Sequence, residues 1–89
     1  MPERKAVVAS KSGLHARPAA VFVKAAAEQP TKVTIRKPDG QPVDASSILS
    51  IMTLGVEQGD EVILAAEGKD ASAALDALGS LLEKDLDAE

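Results

Sequence analysis

Lys32-Val33-Thr34-Ile35-Arg36 alternates polar and apolar side chains, and one residue later comes Pro38-Asp39-Gly40. A period of two is the signature of a half-buried strand, so Val33 and Ile35 face inward and the sheet they belong to has one covered face. Pro-Asp-Gly makes a turn, after which Gln41 to Val43 returns as a short strand. Pro42 has no N–H for a ladder hydrogen bond, which places that strand at a sheet edge.

Upstream, Ala16, Ala20, Val23 and Ala27 recur at helical spacing with Ala19 and Ala26 beside them, which predicts a helix over 16–27. Pro18 falls in its first turn, where the ring removes no intrahelical bond, and Pro30 lies just past its end. Before it, Lys5 to Ala9 reads as a strand followed by a turn at Gly13. Downstream, Ser46 or Ser47 can cap a short helix from Ile48 to Leu54, stopped by Gly55. Asp60 to Ala66 is a further strand, apolar at Val62, Ile63 and Leu64. Asp70 then caps a helix with an apolar stripe at Ala71, Ala74, Leu75, Leu78, Leu81 and Leu82. The order β-α-β-β-α-β-α leaves two striped helices that need a surface to cover, and a four-stranded sheet with one buried face supplies it. The expected architecture is α+β, an open-faced β-sandwich in which helices cover one face of an antiparallel sheet, with residues 1–89 forming one domain.

Composition removes several function classes. The 89 residues include one aromatic, Phe22, so the core is built of Val, Ile, Leu and Ala, and a deep ligand pocket is not expected. Net charge is −4, against the basic face and stacking aromatics that nucleic-acid binding uses. One histidine and no cysteine supply no zinc ligand set and no disulfide. The charged N-terminus, MPERKAVVASKSG, lacks the apolar stretch of a signal peptide, and no window approaches the roughly 20 apolar residues of a membrane span. A cytoplasmic protein without membrane insertion is expected.

The chemistry concentrates in Ser12-Gly13-Leu14-His15-Ala16-Arg17-Pro18-Ala19, where the only histidine stands at a loop-to-helix junction. The first N–H groups of a helix have no internal partner, and the helix dipole adds roughly half a positive charge there. Such an end is an anion site, to which Arg17 adds a guanidinium shaped for phosphate oxygens. Both features favour a neutral imidazole, a competent nucleophile toward phosphorus, and both then welcome the negative group it acquires. These residues admit a plainer account as well: His15 as a cap or solvated side chain, Arg17 as a surface ion-pair partner, Pro18 as helix punctuation.

The motif Gly13-Leu14-His15-Ala16-Arg17-Pro18-Ala19 resembles the active-site motif of HPr, the histidine-containing phosphocarrier of the bacterial sugar phosphotransferase system. Ser47-Ile48-Leu49-Ser50-Ile51-Met52-Thr53-Leu54-Gly55 resembles that family's regulatory-serine segment, and Gly59-Asp60-Glu61-Val62 and the C-terminal helix continue the likeness, with about one extra residue at the turn around Pro38. The resemblance implies that His15 accepts phosphate at Nδ1 from Enzyme I, charged by phosphoenolpyruvate, and passes it to the A domains of sugar-specific Enzyme II permeases. It implies that Arg17 and the N–H groups of Ala16 and Arg17 hold the phosphoryl group, with Ser12 capping the loop before His15. It makes Ile48, Leu49 and Met52, with Ala20 and the basic Lys24, a docking patch for acidic partners, whereas Ile51 and Leu54 belong to the core.

The resemblance also aligns Ser47 with the serine phosphorylated by HPr kinase/phosphorylase, although no basic residue stands at Ala45 or Ser46 before it, and the first helix has Ala27 where a further basic residue would thicken its edge. A phosphate on Ser47 would sit at a helix N-terminus and put negative charge beside the docking patch. No resident cofactor is implied, and a monomer is expected because the patch must stay free. Two other readings stay open: a regulatory binding module governed by Ser47, and a nitrogen-related or fructose-specific paralogue with the same chemistry. An acid–base enzyme built on His15 is disfavoured, since no Asp or Glu adjoins it in sequence.

Overall fold

The computed structural model describes residues 2–11, 13–14 and 16–84, with Ala16 described by its backbone alone. The chain runs β1 (Glu3–Val7), α1 (Ala16–Ala27), β2 (Val33–Arg36), β3 (Val43–Asp44), α2 (Ile48–Thr53), β4 (Glu61–Ala66) and α3 (Ala71–Leu82). The strands form one four-stranded sheet in the order β1-β4-β2-β3, antiparallel at every pairing. The expected α+β open-faced sandwich is the fold observed. Ile35 lies opposite Leu64 of β4 on one side and Val43 of β3 on the other.

The covered face is set by alternation. Ala6, Val8, Val33, Ile35, Val62, Leu64 and Ala66 join Ala71, Ala74, Leu75, Leu78 and Leu82 of α3 in a single core. Phe22 of α1 and Ile51 of α2 complete it, both fully buried. The opposite face is less open than a one-sided sheet implies, since Ile63 and Ala65 are also buried. The long side chains flanking them account for this: the Arg36 Nη2 to Glu3 Oε2 ion pair, 3.7 Å long, spans the strand that holds both.

Several element readings shift. β1 is Glu3–Val7 where Lys5 to Ala9 was expected, because Ala9 leaves the sheet and donates its N–H to Leu82 O at the end of α3, 3.1 Å away. β3 does lie at the edge, but it begins after Pro42. β4 starts at Glu61, and α2 ends at Thr53 with Leu54 as its C-cap. The face of α1 is rotated from the expected stripe: Pro18, Ala19, Phe22 and Ala26 are buried, whereas Ala20 and Ala27 are exposed. Phe22 decides that orientation, because burying its ring outweighs burying any alanine methyl. In α3, Leu81 is only half-buried, and Asp70 holds the N-cap position without a capping bond from its side chain.

One buried glycine makes the edge strand fast. Arg4 points from β1 over α3, where Nη1 donates to Asp76 O at 2.7 Å and Nη2 meets Glu83 Oε1 at 3.1 Å. A Cβ on Gly79 would come within 2.5 Å of this guanidinium, so the helix carries glycine where Arg4 crosses it.

Candidate functional site

Ser12 and His15 lie outside the described residues, so the site is built from what surrounds them. Gly13 has φ +67°, and its N–H donates to Ser10 O at 2.9 Å. Leu14 is fully buried, and its N–H donates to Val56 O at 3.0 Å. The backbone immediately before His15 is therefore held on one side by the 56–60 turn, and immediately after it α1 begins at Ala16.

The first turn of α1 contains no acidic residue. Ala16 and Arg17 are its first two residues, so their N–H groups have no i−4 carbonyl within the helix. Arg17 is exposed, and its side chain makes no hydrogen bond or ion pair with another described residue. Arg4, Lys32, Arg36 and Lys37 are instead all ion-paired. Arg17 thus keeps its guanidinium available at a helix N-terminus, an arrangement that favours an anion. Pro18 is buried beneath this turn and anchors it to the core. Ala20 and Lys24 are exposed one and two turns further along.

α2 packs against α1, and the two faces of α2 differ sharply. Ile51 is fully buried, whereas Ile48, Leu49 and Met52 are 42%, 73% and 45% exposed. Leu54 is half-buried, joining the core from its margin. The two serines that could cap α2 are also separated. Ser47 is the N-cap, with extended backbone at φ −104°, and its Oγ accepts the Ser50 N–H at 3.4 Å. Ser46 turns back to Asp44, donating from Oγ at 2.6 Å and from its N–H at 2.9 Å. Those two bonds hold the Asp44 carboxyl below the usual carboxylate range against the opposing effect of burial, with a lesser contribution from Lys32.

Two features were not anticipated from sequence. The 56–60 turn cradles the loop before His15, and its only signal in the sequence is the glycine pair Gly55 and Gly59, both at positive φ. Val7 is 49% exposed on the sheet's outer face. Among the described residues there is no group of three or more His, Cys, Asp or Glu placed to hold a metal, and no helix long and apolar enough to cross a membrane.

An antiparallel open-faced sandwich with an arginine-bearing helix start held beside the 56–60 turn is the architecture of the phosphocarrier class. Residues 2–84 match the family described as the PTS HPr component phosphorylation site, and the chain belongs to the HPr family of the phosphotransferase system. It is 45% identical over 87 residues to phosphocarrier protein HPr of Streptomyces coelicolor, covering 98% of this chain and 94% of that one. The crystal structure of HPr from Thermoanaerobacter tengcongensis superposes with a TM-score of 0.90 at 44% identity, covering 100% of this chain and 99% of the other. A crystal structure of Crh from Bacillus subtilis, a dimer with a swapping domain, matches with a TM-score of 0.73 at 41% identity over 96% and 97% of the two chains.

Proposed function

We propose that this chain accepts a phosphoryl group on His15 from Enzyme I, itself charged by phosphoenolpyruvate, and donates it to the A domains of sugar-specific Enzyme II permeases. The observation that carries this reading is the free Arg17 guanidinium in an acid-free first helical turn, immediately after the single histidine of a chain that belongs to the HPr family. The lone pair of the neutral imidazole, at Nδ1, forms the bond to phosphorus. The bond from phosphorus to the donor breaks in the same displacement, and the donor leaves with that electron pair. The other ring nitrogen keeps its proton. The charge on the phosphoryl oxygens falls to Arg17 and to the N–H groups of Ala16 and Arg17, with Ser12 closing the loop side. Transfer onward is the same displacement with the phosphohistidine as donor.

Ile48, Leu49 and Met52, edged by Ala20 and Lys24, serve as the docking surface. Their exposure and the unpaired cations suit a transient interface with an acidic partner. Ser47 serves as the regulatory position for a kinase of the HPr kinase/phosphorylase kind. The chain acts as a monomeric single domain in the cytoplasm.

The test is incubation with Enzyme I and labelled phosphoenolpyruvate, comparing the wild type with His15→Ala. The expected product is acid-labile, alkali-stable label on the wild type and none on the variant. A wild type left unlabelled by an Enzyme I that labels an established HPr overturns the reading. The 41% identity to Crh supports a second reading, a regulatory module switched at Ser47. Acid-stable label lost in Ser47→Ala, with none on His15, selects it.

A further inference from the structure

The backbone leading to His15 leans on the 56–60 turn, and we infer that Asp60 is a positioning residue for phosphoryl transfer, acting by holding that turn in shape. The inference rests on the assignment of His15 as phosphoacceptor.

Four hydrogen bonds join the two segments. Val8 N–H donates to Asp60 O at 3.0 Å, Gly59 N–H to Val8 O at 2.8 Å, Gln58 Nε2 to Ala9 O at 3.2 Å, and Leu14 N–H to Val56 O at 3.0 Å. Gly13 presses on the same turn so closely that an added Cβ would collide with Val56 O and Glu57 Cα. Gly13 and Leu14, which lead into His15, therefore inherit their positions from the turn.

Asp60 holds the turn from inside. Its N–H donates to Glu57 O at 3.0 Å, and its Oδ2 accepts the Glu57 N–H at 2.9 Å, so the carboxylate closes the turn across three residues. The same oxygen lies 3.8 Å from Lys37 Nζ, a half-exposed ion pair that adds little by itself. Without the carboxylate, Glu57 N–H loses its acceptor and the turn under Gly13 and Leu14 loosens. Displacement of a reacting group by about 1 Å costs up to 10²-fold in rate, and Asp60 acts through that route, without touching the phosphoryl group.

The experiment measures kcat and KM for phosphorylation by Enzyme I in Asp60→Ala, Asp60→Asn and Asp60→Glu, with Thr31→Ala as control. Thr31→Ala deletes another exposed bond from a side chain to the backbone, Thr31 Oγ1 to Glu67 O at 2.8 Å, which joins the segments before β2 and after β4. Asp60→Ala is expected to lower kcat by about tenfold with KM within about twofold, and to speed amide exchange at Leu14 by a similar factor. Asp60→Asn keeps an acceptor oxygen at the same reach and restores kcat to within about twofold. Asp60→Glu keeps the charge but not the reach, and loses kcat as alanine does, so the comparison stands even where Asp60→Ala does not fold. Thr31→Ala matches the wild type. An undiminished kcat in Asp60→Ala or Asp60→Glu, a loss confined to KM, or an Asp60→Asn as slow as Asp60→Ala overturns the inference. Those outcomes leave the His15 reading standing, whereas a wild type that takes no label overturns that reading and this inference with it.

Discussion

Gly13 shows how much of the site is decided by a missing side chain. Its φ of +67° belongs to the left-handed region, and the space where a Cβ would sit is filled by the Val56 and Glu57 backbone. Gly13→Ala should therefore destabilise the fold by about 1–3 kcal/mol in urea titration, and lower the phosphorylation rate as well. Asp44 makes a prediction in pH. Its carboxyl titrates below the unfolded value of about 3.9, first because Ser46 Oγ donates to it and next because the Ser46 N–H does. The stabilisation is then complete above that unfolded value and is lost as pH falls through the lower folded one. Ser46→Ala should be less stable than the wild type between about pH 5 and 7, and the gap should close as pH falls below the unfolded value, read from thermal midpoints across that range. Asp44 is substantially exposed, so the gap will be small.

At the scale of elements, α2 divides its labour cleanly: Ile51 supplies burial and Ile48, Leu49 and Met52 supply surface. Leu49→Glu with Met52→Glu should change stability by no more than about 1 kcal/mol, since both side chains already face water. The same variant should raise KM for Enzyme I by at least tenfold while His15 stays chemically competent, checked by steady-state phosphorylation kinetics. This element was legible in sequence, because a serine cap, four apolar residues within Ile48–Thr53 and Gly55 just past the end are local signals. Which serine caps was not legible, as Ser46 is claimed by Asp44 two residues back and only the three-dimensional turn decides between them. The face of α1 is not legible in sequence for a related reason. Alanine on nearly every side of a helix gives no contrast, and the orientation follows from one ring, Phe22. The sequence reading starts β1 two residues late because Arg4 looks like a solvent residue, yet it lies on the inner-facing register with Ala6 and bonds to α3. At the site, the start of α1 immediately after His15 was legible in Ser12 to Ala19. The platform beneath it was not, being assembled from residues more than forty positions away.

For the whole molecule, a core nearly free of aromatics is closed by fastening its edges. Arg4 joins β1 to α3 through Asp76 O and Glu83, and Gly79 gives it room. Ordinarily a helical Gly→Ala substitution stabilises by about 1 kcal/mol. Gly79→Ala should do the opposite, lowering the thermal midpoint, because the new methyl displaces the Arg4 guanidinium. Restored stability in Gly79→Ala with Arg4→Ala would trace the effect to that contact. Among the described residues the fold leaves the start of α1, the Arg17 guanidinium and an apolar face of α2 exposed, which suits the proposed uptake and release of a phosphoryl group. The most direct measurement of that claim is a chase. The chain is loaded with labelled phosphate, separated from Enzyme I, and mixed with an Enzyme II A domain. The account predicts that label leaves His15 and appears on the A domain. Label that stays on the chain, or leaves only as inorganic phosphate with every A domain tried, would contradict it.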